Sequence, residues 1–308
     1  MSLKKDFLSI ADWSSNELAK ILELSAKIKS RSEKYKDSIK GKSVALIFEK
    51  QSLRTHVTFD VGINQLGGHS VYLTQSDINL GKRESIYDVS KNLERWMSAV
   101  VVRTYAHQIC VDMARYMRIP VINALTDFEH PCQAVGDFLT AVEHLGSLKK
   151  KKFAFIGDGN NVCNSLMMMA AKLGMNFAAA TPDGYEPQEE VMKVSKKSAK
   201  ESHASIEVVH DPKEAVKEAD VIYTDVWVSM GQEAEKEKRL NDFRGYQVNK
   251  ELMKLARKSA IFMHCLPAHR GEEVTDDVID SKQSVVWDES ENRLHSQKAI
   301  IYTLLAGK

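Results

Sequence analysis

The chain has 308 residues, of which 43% are hydrophobic, so it is long enough for two domains that each bury a core. Its formal net charge of +1 gives no overall field that would attract a polyanion, so we expect no nucleic-acid partner, and a small anion would be held by local groups. The first residues lack the long apolar segment of a signal peptide, and no run approaches the roughly 18 apolar residues of a membrane helix, so no membrane partner is expected.

The cysteine pattern favours a reducing compartment. Cys110, Cys132, Cys163 and Cys265 are scattered and form no CxxC pair, so the sequence offers neither a disulfide framework nor a zinc spacing. His264 directly precedes Cys265, which suggests metal or thiolate chemistry, but no further ligand stands at a recognisable spacing. The sequence therefore predicts a cytoplasmic protein without a metal site.

The first half of the chain alternates between helical and strand patterns. Apolar residues at helical spacing after a serine predict a helix over 15–31. The apolar run 43–49 predicts a strand buried on both faces, and a helical pattern closed by glycine follows it. Further strands are predicted over 69–74, 98–105 and 119–125.

The second half continues this alternation. A long helix is predicted from Pro131 to about Leu145, with proline in the first turn, where a missing N–H costs little. Strand and helix patterns then alternate from 152 to about 264, and 292–308 has the pattern of one amphipathic closing helix. We therefore predict an α/β fold with two doubly wound domains, each with a central, mostly parallel sheet, linked by two helices.

Polar and basic side chains follow the predicted strand at 43–49. Ser52, Arg54 and Thr55 then lie at the carboxyl end of a strand and at a helix N-terminus, where open α/β sheets bind ligands. The hydroxyls and the forked guanidinium suit phosphate oxygens. The alternative is a plain serine N-cap with a surface arginine.

Two more candidate groups follow strands in the first half. Arg103 comes after three valines, at the carboxyl end of a predicted strand, where an arginine can also be structural. His130 and Gln133 are three residues apart at a helix start and face the same side of its first turn. A histidine can donate to a carbonyl oxygen that gains negative charge, and a glutamine can bind an amide nitrogen. The alternative is a histidine that caps a buried turn.

The second half has candidates of a different chemical kind. Asp225 ends a predicted strand before the loop that begins at Ser229, and its carboxylate could hold an ammonium group or form an Asx turn. Cys265 also follows a strand, so its thiol could lie against a ligand. The next bond, Leu266–Pro267, could be cis, although cis is the minority state of X–Pro bonds.

The segment IGDGNNVCNS is only superficially similar to a dinucleotide-binding motif. Gly157 and Gly159 are followed by Val162 where the third glycine is required, so NAD binding is disfavoured. Asn160 and Asn161 instead offer amide groups suited to a carboxylate at a helix N-terminus.

These segments in this order closely resemble the ornithine branch of the aspartate/ornithine carbamoyltransferase family, over essentially the whole chain. The segments are FEKQSLRTH, VVRT, HPCQ, GDGNN, DVWVSMG, HCLP and ENR. The resemblance implies transfer of the carbamoyl group of carbamoyl phosphate to the side-chain amine of L-ornithine, giving L-citrulline and phosphate. It implies direct attack without a covalent enzyme intermediate, no cofactor, and a homotrimer or multiple of trimers.

The resemblance also implies the roles of the domains and residues. The expected domains are a carbamoyl-phosphate-binding domain over 1–132, joined by the closing helix 291–308, and an ornithine-binding domain over 133–290. The residues expected at carbamoyl phosphate are Ser52, Leu53, Arg54, Thr55, Arg103, His130, Gln133, Cys265, Leu266 and Arg293, with Asn79 from a neighbouring subunit. Those expected at ornithine are Asn161, Asp225, Ser229 and Met230. Those expected to act in catalysis are Arg103, His130, Asp225 and Cys265.

The phosphate motif departs from the family pattern at two positions. The family usually has Ser-Thr-Arg-Thr-Arg, whereas this chain has Leu53 for the first threonine and His56 for the last arginine. Leu53 removes a hydroxyl but keeps its backbone N–H, and His56 removes a permanent charge. Three alternatives remain: a sister carbamoyltransferase for aspartate, putrescine or an acylated ornithine, a dinucleotide-dependent oxidoreductase, and a non-catalytic trimeric family member.

Overall fold

The structure is a computed structural model that describes residues 5–80, 83–229 and 231–306. It divides into two compact units: unit 1 comprises Met1–Leu139 and Glu291–Lys308, and unit 2 comprises Thr140–Ser290. The chain leaves unit 1 within the helix Pro131–Leu145 and returns within the helix Val286–Leu305. These are the two linking helices that the sequence predicts.

Unit 1 contains a four-stranded parallel sheet at the predicted positions. Its strands are β1 (Ser43–Phe48), β2 (His69–Thr74), β3 (Ala99–Arg103) and β4 (Val121–Leu125), in the order β2-β1-β3-β4. The strand order reverses between β1 and β3, and ligands of open α/β sheets bind at such switch points. Because Phe48 is in register with Arg103, the segments that follow β1 and β3 begin side by side.

The helices of unit 1 follow from capping and apolar spacing. The first helix starts with a capping box formed by Ser14 and Glu17. The helices are α1 (Ser15–Ser30), α2 (Leu53–Gln65), α3 (Gln75–Ile78), α4 (Ile86–Trp96), α5 (His107–Tyr116) and α6 (Pro131–Leu145), with 3-10 turns at Ile10–Asp12 and Ser32–Tyr35.

Unit 2 contains a five-stranded parallel sheet. Its strands are β5 (Lys152–Ile156), β6 (Asn176–Ala180), β7 (Ile206–Val209), β8 (Val221–Thr224) and β9 (Ile261–Met263), in the order β7-β6-β5-β8-β9. Here the order reverses between β5 and β8, where Ile156 is in register with Thr224. The segments after β5, β8 and β9 therefore meet at one edge of the sheet.

The closing helix, which links unit 2 to unit 1, starts earlier than the sequence pattern predicts. The closing helix begins at Val286 rather than at 292, with Asp288 and Glu289 in its first turn, where carboxylates interact favourably with the helix dipole. The helices of unit 2 are α7 (Asn161–Leu173), α8 (Glu189–Ser202), α9 (Pro212–Val216), α10 (Lys236–Asp242), α11 (Lys250–Met253) and α12 (Asp276–Ile279), with a 3-10 turn at Glu233–Glu235. The closing helix α13 (Val286–Leu305) begins in unit 2 and belongs to unit 1 from Glu291 onward.

Two local features bear on the sequence predictions. The Leu266–Pro267 peptide bond is cis. The four cysteines are free, and three of them are buried while Cys265 is partly exposed.

Among residues 5–80, 83–229 and 231–306, no helix is both long enough and apolar enough to span a membrane.

Candidate active site

The N-terminus of α2 is capped as the structural alternative predicts. Ser52 is the N-cap residue, and its Oγ accepts a hydrogen bond of 3.2 Å from the backbone N–H of Thr55. Leu53, the first helical residue, has its side chain 74% exposed, and Arg54 is partly exposed. A capping hydroxyl still has its own proton to donate, so the cap and the anion-binding role are compatible.

Thr55 joins two buried arginines from distant parts of unit 1. Its Oγ1 accepts hydrogen bonds from Arg103 at 3.4 Å and from Arg293 at 3.2 Å. All three residues are buried. A hydroxyl that accepts from two guanidinium groups keeps its own O–H as a donor.

Arg293 also reaches Gln133 on α6. The guanidinium of Arg293 donates to Oε1 of Gln133. Gly136 allows this close approach, because a Cβ at that position would lie 3.1 Å from Cδ of Arg293. We call Arg54, Arg103 and Arg293 the arginine cluster.

His130 lies in the electrostatic field of the arginine cluster. Its backbone carbonyl accepts from the N–H groups of Gln133 and Ala134, so it caps α6 as the alternative interpretation predicts. Burial lowers the pKa of His130 well below its ordinary value, and the charges of Arg293, Arg103 and Arg54 add to this effect. The ring is therefore neutral near pH 7 and can donate one N–H without bringing a further charge.

Asn79 and His56, two residues of unit 1 that the sequence analysis singles out, lie apart from the arginine cluster's hydrogen bonds. Asn79 ends α3 in the left-handed conformation, with a φ of 48°, which asparagine tolerates well. The His56 ring stacks on the Tyr72 ring, with 3.7 Å between centroids. The structure gives these two residues positions outside the hydrogen-bonded network of Thr55, Arg293 and Gln133.

In unit 2, both ends of the Asn160 amide are bound within the protein. It is the N-cap of α7, where its Oδ1 accepts from the N–H groups of Val162 and Cys163 at 3.0 and 3.1 Å. Its Nδ2 donates to Oδ2 of Asp225 at 2.8 Å. Asn161, the first residue of α7, is partly exposed.

Asp225 is held by groups that follow three neighbouring strands. Its Oδ1 accepts from the Cys265 thiol at 3.1 Å and from the N–H of Val226 at 2.8 Å, the latter as in the predicted alternative of a local turn. We call Asn160, Asp225 and Cys265 the Asp225 group. It places one buried carboxylate between an amide and a thiol, which is suitable for binding an ammonium or amine.

The loop after β8 is tied down by a residue that sequence reasoning missed. Arg239 of α10 donates to Oδ2 of Asp158 at 2.7 Å and to the carbonyl oxygen of Trp227 at 3.0 Å. The N–H of Ser229 donates to Oε1 of Gln232 at 3.1 Å. Met230, which the sequence also places at ornithine, lies outside the described residues. Nothing in the spacing of Arg239 and Asp158 marks them as a pair.

His264 supports the loop that carries Cys265. Its Nδ1 accepts from the N–H of Leu266 at 2.9 Å, and its Nε2 lies 3.1 Å from Oε1 of Glu273. Since Nδ1 accepts, the proton is on Nε2. The potential ligand atoms of Asp225, His264 and Cys265 lie within 4.8 Å of one another, but a metal ion there would have to replace these hydrogen bonds. The prediction of no metal site therefore stays a prediction.

Matches to known proteins cover both units. Residues 5–143 match the family model "Aspartate/ornithine carbamoyltransferase, carbamoyl-P binding domain", and residues 149–304 match the "Asp/Orn binding domain" of the same family. A relative from Pyrococcus horikoshii named ornithine carbamoyltransferase is 52% identical over 310 residues, which cover 100% of this chain and 98% of the relative. An anabolic ornithine carbamoyltransferase from Pyrococcus furiosus is 50% identical, over 98% of this chain and 97% of the relative.

A solved structure gives the same result. The ornithine carbamoyltransferase from Pyrococcus furiosus matches with a TM-score of 0.95 and 50% identity, over 100% of this chain and 99% of that one. The shared fold, the two family models and the sequence identity over the full length all point to the same family. The chain belongs to the aspartate/ornithine carbamoyltransferase family.

Proposed function

We propose that the protein is an ornithine carbamoyltransferase, which converts carbamoyl phosphate and L-ornithine into L-citrulline and phosphate. The observation that carries this proposal is the 52% identity, over the whole chain, with a relative that has this name. The chemistry of the two groups supports it, because the arginine cluster suits a multiply charged anion and the Asp225 group suits an amine.

Carbamoyl phosphate binds at the N-terminus of α2. Its phosphate takes hydrogen bonds from the hydroxyls of Ser52 and Thr55, from the backbone N–H of Leu53 and from the guanidinium of Arg54. Arg103 spans the phosphate and the carbonyl oxygen. His130 and Gln133 contact the carbamoyl group. Arg293 adds a further positive charge near the phosphate. Cys265 and Leu266 are the remaining residues assigned to carbamoyl phosphate.

The carbonyl oxygen becomes negatively charged when the amine attacks. Arg103, neutral His130 and the Thr55 hydroxyl are the donors assigned to this oxyanion. Loss of one such donor typically costs about 3–4 kcal/mol of barrier. The phosphate then leaves, so no covalent enzyme intermediate is needed.

Ornithine binds in unit 2 through Asn161, Asp225, Ser229 and the backbone of Met230. Its side-chain amine, which resembles that of lysine with a pKa of about 10.4, must lose a proton before it attacks. Cys265, which donates to Asp225 in the structure, orients this amine or takes part in its deprotonation.

The protein also has a proposed domain organisation, assembly and location. Residues 1–132 with 291–308 bind carbamoyl phosphate, and 133–290 bind ornithine. The protein forms a homotrimer or a multiple of trimers, in which Asn79 of one subunit reaches the site of its neighbour, and it works in the cytoplasm. Exposed apolar side chains at Leu53, Val57 and Val61, one helical turn apart on α2, support an interface next to the phosphate site.

The physiological direction is arginine biosynthesis. The Pyrococcus furiosus relative, which shares 50% of its residues with this chain, is named anabolic, and this supports the biosynthetic direction.

The test is an assay of the purified full-length chain with carbamoyl phosphate and each of four amines: ornithine, aspartate, putrescine and N-acetylornithine. We expect citrulline and one equivalent of phosphate with ornithine, and rates at least a hundredfold lower with the others, on the order of what mispaired polar groups in a binding site cost. Absence of turnover with ornithine would refute the proposal and favour a non-catalytic family member. Faster turnover with another amine would identify a sister activity.

A further inference from the structure

The Gln133 side chain is held at both ends of its amide. Its Oε1 accepts from the guanidinium of Arg293, and its Nε2 donates to Oδ1 of Asp137 at 2.6 Å. Gln133 and Asp137 are four residues apart on α6, so they lie on the same face of the helix. All three residues are buried.

These two contacts leave the amide one orientation. A guanidinium can only donate and a carboxylate accepts, so the atom of Gln133 at Arg293 must be oxygen and the atom at Asp137 must be nitrogen. The reversed amide would bring NH₂ against Arg293 and oxygen against oxygen at Asp137. In a buried site both mismatches are costly, and the bonds to charged groups are the stronger kind.

We propose that Asp137 is a positioning residue that fixes the Gln133 amide with its oxygen toward the substrate, and so selects carbamoyl phosphate over acyl phosphates that lack an N–H. This inference rests on the proposed function, because it requires Gln133 to contact the carbamoyl group. A carbonyl oxygen can accept two hydrogen bonds, here one from Arg293 and one from the carbamoyl NH₂.

Acetyl phosphate is the matched ligand for this proposal. It has the same phosphate and carbonyl groups as carbamoyl phosphate, with a methyl group in place of the NH₂. A buried acceptor built for an N–H is left without its partner when a methyl group takes that place, which is the usual source of strong discrimination in enzyme sites. If the amide could reverse, its NH₂ would face the substrate's NH₂, and the preference for carbamoyl phosphate would fall.

The test compares two constants in each variant: the KM for carbamoyl phosphate and the competitive Ki of acetyl phosphate. The ratio of Ki to KM measures the selection, and it falls when the KM rises at constant Ki. Asp137→Ala should raise the KM about tenfold, on the order of one lost hydrogen bond to a charged group, and leave the Ki within about twofold. Asp137→Asn keeps an oxygen acceptor without the charge, so an intermediate change of about threefold is expected. If the alanine variant fails to fold, the asparagine variant still decides.

A control and a second variant separate the possible causes. Val135→Ala removes buried apolar volume from the same helix. It should weaken the binding of both ligands equally or of neither, so the ratio of Ki to KM should not change. Gln133→Ala should lower the selection as much as Asp137→Ala does, and the double variant should add little more.

Each outcome supports or overturns the inference. A ratio that falls in the order wild type, Asp137→Asn, Asp137→Ala supports it. Equal changes of both constants in the Asp137 variants, or no change, overturn it and leave Asp137 a structural residue. If the wild type makes citrulline and Gln133→Ala lowers the ratio, the proposed function stands even when the Asp137 variants do not respond. A wild type without turnover refutes the proposed function itself.

Discussion

The two groups of polar residues occupy the same kind of place in their sheets but differ in charge. In the arginine cluster of unit 1, Arg54 follows β1, Arg103 ends β3 and Arg293 comes from α13. Arg103 and Arg293 donate to Thr55, and Arg293 also donates to Gln133. The Asp225 group follows β5, β8 and β9 of unit 2 and places a carboxylate between an amide and a thiol. In both units the ligand position is the carboxyl edge of a parallel sheet, and the side chains at that edge determine whether it suits an anion or an amine.

The largest expected effect is on the use of carbamoyl phosphate, through a change in the arginine cluster. Arg54→Ala should lower kcat/KM for carbamoyl phosphate about a hundred- to a thousandfold, because it removes a donor to a charged group at the reacting centre. Arg54 is partly exposed and does not build the core, so the variant should fold. Steady-state kinetics measure the change, with Arg115→Ala, an exposed arginine on α5, as control. Near-wild-type turnover in Arg54→Ala would refute the phosphate assignment.

Asp225→Asn tests the amine side and should have the second largest effect. The change removes a negative charge but keeps the size of the side chain. We expect a fall of about 10- to 100-fold in kcat/KM for ornithine, as for the loss of a hydrogen bond to a charged group. Binding of carbamoyl phosphate in the absence of ornithine should be unchanged within about twofold. Equal losses for both substrates would contradict the division of roles between the two groups.

Burial of His130, together with the positive charges of the arginine cluster, predicts a pH dependence of stability. His130 has an ordinary pKa of 6.5 when unfolded and a much lower one when folded. Below pH 6.5 the unfolded state therefore binds more protons, so the free energy of unfolding falls as the pH falls, by up to about 1.4 kcal/mol per pH unit from this group.

Urea unfolding between pH 7.5 and pH 5 measures this slope. His130→Gln should show a shallower fall than the wild type, whereas His69→Gln, which changes an exposed histidine on β2, should keep the wild-type slope. Identical slopes in all three proteins would show that His130 is not held neutral by its surroundings.

The smallest expected effect concerns the departure at Leu53. The side chain is 74% exposed, so its assigned contact with phosphate is through the backbone N–H. Leu53→Thr, which restores the residue usual in the family, should change the KM for carbamoyl phosphate less than about threefold, within the range of a surface substitution. A tenfold improvement would show that the threonine hydroxyl binds substrate and that the chain lacks this contact.

Sequence reasoning located the strands of both sheets because they depend on local signals. Strands buried on both faces appear as continuous apolar runs, which is why β1 and β3 lie where 43–49 and 98–105 predict them. The polar residues that end such runs, Arg103 and Asp225, then mark the ligand edge of each sheet.

The missed features depend on contacts between distant parts of the chain. Asn160 has the same residue type as Asn161, and only the folded helix start shows that it caps α7 and holds Asp225. Arg239 and Asp158 are joined by packing alone. Asp137 did have a local signal, since it stands one helical turn after Gln133, but its meaning required the position of Arg293 as well.

The most direct test is a crystal structure of the protein with a bisubstrate analogue that joins a phosphonate mimic of carbamoyl phosphate to ornithine. We predict the phosphonate at Ser52, Leu53, Arg54 and Thr55, in contact with Arg103, and the amino-acid head at Asn161 and Asp225. A phosphonate bound away from the N-terminus of α2, or an amino-acid head held without Asp225, would contradict this account.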